Sequence, residues 1–156
     1  MLSEKYNLKY LSSHSACPHI TISSGKCVSR ERFKKAVYSC LPHCRPITIK
    51  SNGIGIFVKE APVIYIRWFL SKELNELCLL IQKRLRNVWS ETDKSSSREV
   101  WMPKSTLALK DTCYDQLPLV LGDLNVYNFK QGMVVDKLTL IEMESKEIVI
   151  EEISFN

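Results

Sequence analysis

Residues 47–85 have the sequence ITIKSNGIGIFVKEAPVIYIRWFLSKELNELCLLIQKRL, and the patterns within this stretch decide the fold class. Three short runs are rich in β-branched and aromatic residues: 47–50, 54–59 and 63–69. Asn52-Gly53 is a turn signal between the first two runs, so the runs predict three strands of a meander. From Ser71 onward apolar residues recur at helical spacing, which predicts a capped amphipathic helix.

Shorter elements precede this stretch. Ser29 is placed to cap a helix that has a basic outer face and ends at Pro42. Polar and apolar residues alternate over His19–Ser23, and this pattern predicts a strand ahead of that helix. Ser23-Ser24-Gly25 ends the predicted strand. Another short strand is predicted over 6–11.

The second half of the chain repeats this order of elements after the polar segment 91–99, which is predicted to be a mobile loop. The predicted elements are a strand over 100–109, a helix from Asp115 to about Leu124, and strands over 134–142 and 148–155. The chain is therefore predicted to be one α+β domain, 1–156, with two related lobes formed by roughly 1–90 and 98–156.

Composition and charge limit the classes of protein and partner. The chain has 156 residues, 45% hydrophobic and 25% charged, as expected for one globular domain. Seven bases and one acid between Lys26 and Lys50 give a local charge of +6, which predicts an anionic partner or a solvated helix face. The chain has neither a bilayer-length apolar run nor a secretory signal, so we expect a cytoplasmic protein with no membrane partner.

The six cysteines are expected to be reduced in that compartment. Cys40 and Cys44 lie close to His43, and Cys27 is the one plausible further ligand, but no second ligand pair with metal-like spacing follows. We therefore predict neither a metal site nor a cofactor.

Two motifs, about 85 residues apart, share the pattern proline, proton carrier or cation, any residue, threonine. They occupy 18–21 and 103–106. In a strand, side chains two positions apart point to the same side. His19 would therefore point to the same side as Thr21, and Lys104 to the same side as Thr106. If a pseudo-two-fold axis relates the two lobes, the two pairs face each other across a groove.

With these paired motifs the chain resembles the two-histidine (2H) phosphoesterases, the LigT-like proteins that include 2′-5′ RNA ligases and cyclic nucleotide phosphodiesterases. The resemblance runs from residue 17 to about 155 and includes the glycine-containing hairpin over 46–57, the strand over 63–66 and the helix over 74–85. It implies a two-lobed LigT-like fold, with two pseudo-symmetric antiparallel sheets flanked by helices around a central groove. The family usually has a strand and often a helix before the first motif, so this lobe is expected to be trimmed, with an edge open to a protein partner.

The resemblance also implies roles for the motif residues. His19 would be a proton-transfer group, and Thr21 and Thr106 would donate hydrogen bonds to phosphate oxygens. Lys104 stands at the position of the family's second histidine. A lysine has a reference pKa of about 10.4, which makes it a poor acid at neutral pH but a suitable point charge for phosphate.

Two main hypotheses follow for the function. The first is a metal-independent phosphodiesterase for 2′,3′-cyclic or 2′-5′-linked nucleotides or RNA ends, and the second is a nucleotide- or RNA-binding module without turnover. A protein-interaction domain on the same scaffold is a third. Trp101, beside the second motif, is the best candidate to stack on a base. His14 or His43 could replace the missing proton carrier only if the fold brought it into the groove.

Overall fold

The chain has a mixed α+β fold with antiparallel sheets, as the computed structural model shows for residues 2–13, 18–126, 132–144 and 147–155. The helices are α1 (Leu2–Tyr6), α2 (Tyr10–Ser13), α3 (Arg30–Tyr38), α4 (Lys72–Leu85) and α5 (Leu117–Val126). The strands are β1 (Gly25–Cys27), β2 (Ile47–Phe57), β3 (Val63–Trp68), β4 (Trp89–Thr92), β5 (Lys104–Ala108), β6 (Gly132–Val135), β7 (Lys137–Met143) and β8 (Glu147–Ser154). The α+β class predicted from the sequence is therefore confirmed.

A four-stranded sheet with the order β5-β3-β2-β6 is the centre of the fold. Two-stranded sheets, β1-β4 and β7-β8, accompany it. The first half of the chain supplies β2 and β3, whereas the second half supplies β5 and β6. The halves 1–90 and 98–156 thus share this sheet, which the repeated order of elements along the chain did not indicate.

The two helices with serine caps begin where the sequence predicts. Ser29 Oγ accepts a hydrogen bond from the Arg32 amide at 3.4 Å, and Ser71 Oγ accepts one from the Leu74 amide at 3.2 Å. Both contacts satisfy an amide that has no partner within its helix. In α4 the buried side chains are those of the apolar repeat: Leu74, Leu77, Cys78, Ile81 and Leu85.

The turn predicted at Asn52-Gly53 is wrong, because β2 continues through these residues to Phe57. The pairing of β2 with β3 shifts register between Ser51 and Ile54, and Gly53 has a φ of 81°. Glycine reaches this left-handed conformation without a Cβ clash, so the extra residues form a bulge in the strand. The part of β2 before the bulge pairs with β6, and the part after it pairs mainly with β3.

Other local predictions also need correction. Residues 6–11 contain the end of α1 and the start of α2 in place of a strand, and α2 packs against β5 at the edge of the sheet. Segment 91–99 includes the end of β4 and a 3-10 helix, Lys94–Ser96, in place of a continuous loop. The strand predicted over 134–142 is divided at Asp136 into β6 and β7.

Two clusters of buried side chains form the core. The larger includes side chains from α3, α4 and the hairpin β7-β8, packed with Ile47, Ile49 and Trp68 of the sheet. The smaller joins Ile64 and Ala108 of the sheet to Leu8 and to α5. Helix α2 contacts β5, and Tyr10 of α2 bonds to Glu147 at the start of β8; the candidate site lies where these elements meet.

The basic helix α3 is paired with the acidic C-terminal hairpin. Arg30 bonds to Glu142 at 2.6 Å, and Lys34 lies 2.8 Å from Glu151. Such exposed pairs each contribute roughly 0–1 kcal/mol to stability. They show that two of the seven bases between Lys26 and Lys50 lie beside acids of the chain itself. Among the described residues, no helix is both long and apolar enough to cross a membrane.

Candidate functional site

The candidate site is a cavity of about 170 Å³ between the N-terminal segment, β5 and the start of β8. Both residue pairs of the sequence motifs lie on its wall. The lining residues are Tyr10, Leu11, Pro18, His19, Thr21, Lys104, Thr106, Leu109 and Glu147. The structure therefore brings His19 and Thr21 together with Lys104 and Thr106, which are about 85 positions away in the sequence.

Strand β5 places Lys104 and Thr106 on the same side. Ser105, between them, is 1% exposed and accepts a hydrogen bond from the Trp68 indole N–H at 3.0 Å. That contact holds Ser105 on the core side of the strand. The alternation of a strand then directs the two neighbouring side chains towards the cavity.

The segment that carries His19 and Thr21 is not the strand that its alternation predicts. Side-chain donors bind its carbonyls in place of a neighbouring strand: Trp101 Nε1 lies 2.8 Å from Thr21 O, and Gln82 Nε2 lies 3.2 Å from Ile22 O. Regular pairing begins only at Gly25, in β1. Despite this irregular backbone, both His19 and Thr21 reach the cavity.

Trp101, the predicted stacking residue, is not among the residues that line the cavity. Its ring is half-buried against the larger core cluster, and its N–H holds the Thr21 carbonyl. The structure thus gives Trp101 a contact that positions the first motif. His43 also lies away from the cavity, exposed in a 3-10 helix, whereas His14 and Cys17 fall outside the described residues.

Lys104 is a half-buried cation next to an aromatic ring. Its Nζ lies 5.8 Å from the centre of the Phe57 ring. Burial lowers the pKa of Lys104, and the nearby positive charge of Lys59 lowers it further. Among the described residues, Lys104 forms no ion pair with a carboxylate. An arriving anion would therefore compensate a charge that the fold leaves inside a partly dry site.

Tyr10 and Glu147 also line the cavity, although the sequence motifs do not include them. The Tyr10 hydroxyl donates to Glu147 Oε1 at 3.4 Å, and the Tyr10 amide donates to Asp111 Oδ2 at 2.8 Å. Burial, together with the charge of Glu147, raises the pKa of Tyr10 to about 12, so its hydroxyl remains a donor at neutral pH. Glu147 begins β8, but Glu151 interrupts the apolar alternation of this strand, and the pairing of β8 with β7 shifts register between Leu140 and Ile141. The sequence therefore contains no clear signal for an inward carboxylate at this position.

The aromatic support under Lys104 depends on a glycine. Gly55 is paired with Tyr65 across β2 and β3, and the Tyr65 ring stacks on Phe57 with ring centres 4.5 Å apart. A Cβ on Gly55 would overlap the Tyr65 ring. Phe57 in turn lies beneath Lys104. A close approach in the sheet is thus linked by direct contacts to the cavity.

We predict that Gly55→Ala lowers the free energy of unfolding by about 1–3 kcal/mol, because Tyr65 must move to admit the methyl group. Gly122→Ala is a matched control: the added Cβ meets nothing within 4 Å in α5 and should stabilise the protein by roughly 1 kcal/mol through helix propensity. Urea unfolding measures both changes. Equal effects of the two substitutions would contradict the packing role of Gly55.

The described cysteines are free thiols, and within the described ranges no group of three or more histidine, cysteine or acidic residues is placed to hold a metal ion. Among the described residues, the cavity wall instead combines one cation, two hydroxyl donors, a histidine, and a tyrosine bonded to a carboxylate. Donors and cations of this kind bind phosphate oxygens, and an imidazole nitrogen can donate or accept a hydrogen bond. No family model and no curated protein matches the chain.

Proposed function

We propose that this protein is a metal-independent 2H-type phosphodiesterase that acts on 2′,3′-cyclic or 2′-5′-linked nucleotides or RNA ends. The observation that carries the proposal is the meeting of His19, Thr21, Lys104 and Thr106 on the wall of one cavity. A two-lobed LigT-like architecture and a cytoplasmic location are parts of the same proposal, as is a protein partner at the N-terminal edge.

In the proposed reaction, water adds across a P–O bond of a cyclic phosphate. His19 takes a proton from a water molecule while the water oxygen bonds to phosphorus. The bond between phosphorus and one ribose oxygen breaks. Lys104 gives that oxygen a proton, and its lowered pKa makes it a better acid than an exposed lysine. Thr21 and Thr106 donate hydrogen bonds to the phosphate oxygens as charge develops on them. Exchange with solvent then returns the proton from His19 to Lys104.

The size of the cavity supports a small part of a nucleotide as the bound group. Its volume of about 170 Å³ is below the roughly 300–1,000 Å³ of pockets that enclose drug-sized ligands. A phosphate and the adjoining edge of a sugar therefore fit inside, and the base remains outside. We expect weak discrimination between bases.

A nucleotide- or RNA-binding module without turnover is the second candidate. The specific observation that favours it is Lys104 at the position of the second proton carrier. If its pKa stays well above neutral, this side chain attracts phosphate but seldom provides a proton. Binding would then be salt-sensitive and would end without chemistry.

The test of the proposal is hydrolysis of 2′,3′-cyclic AMP in the presence of EDTA, together with calorimetric binding of 3′-AMP. Turnover that falls by about tenfold or more in Thr106→Val supports the phosphodiesterase, since one phosphate donor is lost. Binding without turnover identifies the binding module. Absence of both binding and turnover overturns the assignment and leaves the protein-interaction domain.

Binding of 3′-AMP should weaken as the pH rises towards 10. Below the lowered pKa of Lys104 the ammonium is charged and attracts phosphate; above it the amine is neutral and this attraction is lost. The loss should therefore begin at a lower pH than for an ordinary lysine, whose pKa is about 10.4. Calorimetric titrations between pH 7 and pH 11 measure it. Lys104→Arg keeps its charge across that range, so its binding should not weaken as the pH rises. If this variant loses binding over the same pH range as the unsubstituted protein, the assignment of the pH effect to Lys104 is contradicted.

A further inference from the structure

The charged residues of the central sheet all have the same sign. Its four strands contain three of them, and each is a base: Lys50 in β2, Arg67 in β3 and Lys104 in β5. The hairpin β7-β8 has the opposite character, with four acids and one base, and two of its acids pair with bases of α3. Within the described ranges, neither Lys50 nor Arg67 forms an ion pair with an acid. The sheet therefore retains positive charge that the described acids do not neutralise.

The strand pairing places these three bases on one face of the sheet. Arg67 is the partner of Lys104 across β3 and β5, and side chains of paired residues point to the same side. Trp68 is the partner of Ser51 across β3 and β2, and both are buried on the core side. Arg67 and Lys50 directly precede these two residues, so strand alternation directs them to the opposite, exposed side. Because Lys104 lines the cavity, a row of cations leads from the cavity across β3 to β2.

An exposed aromatic ring accompanies this row. Phe69 directly follows β3, is 51% exposed, and donates its amide to the Lys50 carbonyl at 2.9 Å. That bond places Phe69 beside Lys50, two positions after Arg67 in the chain. We call the surface formed by Lys50, Arg67 and Phe69 the basic face. Cations that follow a sugar-phosphate backbone, combined with rings on which bases stack, are the features with which proteins bind single-stranded nucleic acid.

The row of cations is longer than the cavity site requires. Neighbouring strands are about 4.8 Å apart, so the row from Lys104 to Lys50 crosses about 10 Å of the sheet. A mononucleotide such as 3′-AMP has one phosphate, and the proposed site takes that phosphate into the cavity. The cations further along the row then match the phosphates of adjoining nucleotides.

We propose that the basic face binds the nucleotides that adjoin the phosphate in the cavity, so that the preferred ligand is a single-stranded oligonucleotide and not a mononucleotide. This proposal rests on the proposed phosphate site. Arg67 and Lys50 bind backbone phosphates, and Phe69 stacks on a base. Since every base has a face that can stack, affinity depends on the length of the strand more than on its sequence.

The experiment compares binding of 3′-AMP with that of a single-stranded adenosine hexanucleotide that carries a 3′-phosphate. At about 50 mM salt the unsubstituted protein should bind the hexanucleotide about tenfold or more tightly than 3′-AMP. Arg67→Gln should make the loss of hexanucleotide affinity between about 50 mM and about 200 mM salt roughly 2.5-fold smaller, because each cation removed lowers the salt slope by about 0.7. Both substitutions at this face, Arg67→Gln and Phe69→Ala, should leave the Kd of 3′-AMP unchanged.

Phe69→Ala should weaken hexanucleotide binding by about 5- to 100-fold through the loss of one stacked base, whereas Phe69→Trp should retain it. Equal affinities of the alanine and tryptophan variants would overturn the stacking role. Should Phe69→Ala not fold, the exposed Arg67→Gln and its salt slope still decide the question.

Arg86→Gln is the matched control, because it removes the same charge from the exposed end of α4, whose buried side chains pack on the core side of the sheet with Trp68. Equal effects of Arg86→Gln and Arg67→Gln on hexanucleotide binding overturn the proposal, since net charge then explains the binding. Equal binding of 3′-AMP and the hexanucleotide also overturns it but leaves the proposed function standing.

Two further outcomes separate the basic face from the cavity and from a membrane. Hexanucleotide binding that requires Arg67 but is unchanged in Lys104→Ala supports the basic face and overturns the cavity as the phosphate site. Binding to vesicles of phosphatidylserine and phosphatidylcholine that requires Arg67, without binding of the hexanucleotide, overturns the proposal in favour of a lipid surface. Failure of 3′-AMP, the hexanucleotide and the vesicles to bind overturns both the proposal and the proposed function.

Discussion

Replacing Lys104 with histidine is expected to raise the rate of 2′,3′-cyclic AMP hydrolysis by about 10²- to 10⁴-fold. A histidine at this position would supply a proton near neutral pH, which the lysine does poorly, while Thr106 and the rest of the cavity remain in place. Steady-state kinetics at pH 7 measure the effect in kcat. Binding of 3′-AMP should weaken at the same time, because a permanent charge is lost.

Lys59→His is the matched control for this gain. Lys59 is close enough to influence the pKa of Lys104 but does not line the cavity, so its replacement should not create activity. A Lys104→His protein that is folded, binds 3′-AMP and shows no increase in turnover would contradict the idea that position 104 is the site of proton transfer.

Removing the imidazole in His19→Ala is expected to reduce turnover by about 10²- to 10⁴-fold, in the unsubstituted protein and in Lys104→His alike. The reason is that His19 places an imidazole on the cavity wall, and an imidazole can take a proton from water as a general base. The Kd of 3′-AMP should change far less than kcat, since the cation and both threonines are retained. Calorimetry and kinetics on the same preparations separate the two effects.

The control for His19 is His43→Ala, which removes an exposed histidine away from the cavity and should leave turnover unchanged. Activity that survives His19→Ala would assign the reaction to other groups. Because the phosphate-binding residues are retained in this variant, that result would not by itself exclude binding.

Local signals in the sequence predicted the parts of the fold that depend on neighbouring residues. Ser29 and Ser71 cap α3 and α4 through amides three positions away, so short-range chemistry was sufficient. The same logic failed at Asn52-Gly53, where a hairpin signal lies inside a long strand. Residues 47–50 of β2 pair with β6 and residues 54–57 pair with β3, so the strand continues through the turn signal. Both partner strands are distant in the sequence or set by the tertiary structure, so the local pattern does not reveal them.

The candidate site was predictable only where it follows a repeated motif. The alternation around Lys104 and Thr106 does correspond to a strand, while that around His19 corresponds to an irregular segment held by Trp101 and Gln82. Those donors are about 60–80 positions away, so no local pattern reveals them. Tyr10 and Glu147 lie outside both motifs and reach the cavity through packing that connects distant parts of the chain.

The hydrogen bond from Trp101 to the Thr21 carbonyl has a practical consequence for following ligand arrival. Indole fluorescence responds to the polarity and hydrogen bonding around the ring, and Trp101 touches the backbone of a cavity residue without entering the cavity. The other two tryptophans, Trp68 and Trp89, donate their N–H groups to Ser105 and Ser23. Each of the three indoles is therefore bonded to a motif residue or, for Trp89, to a residue two positions beyond a motif, which gives the chain an optical reporter on the state of its site.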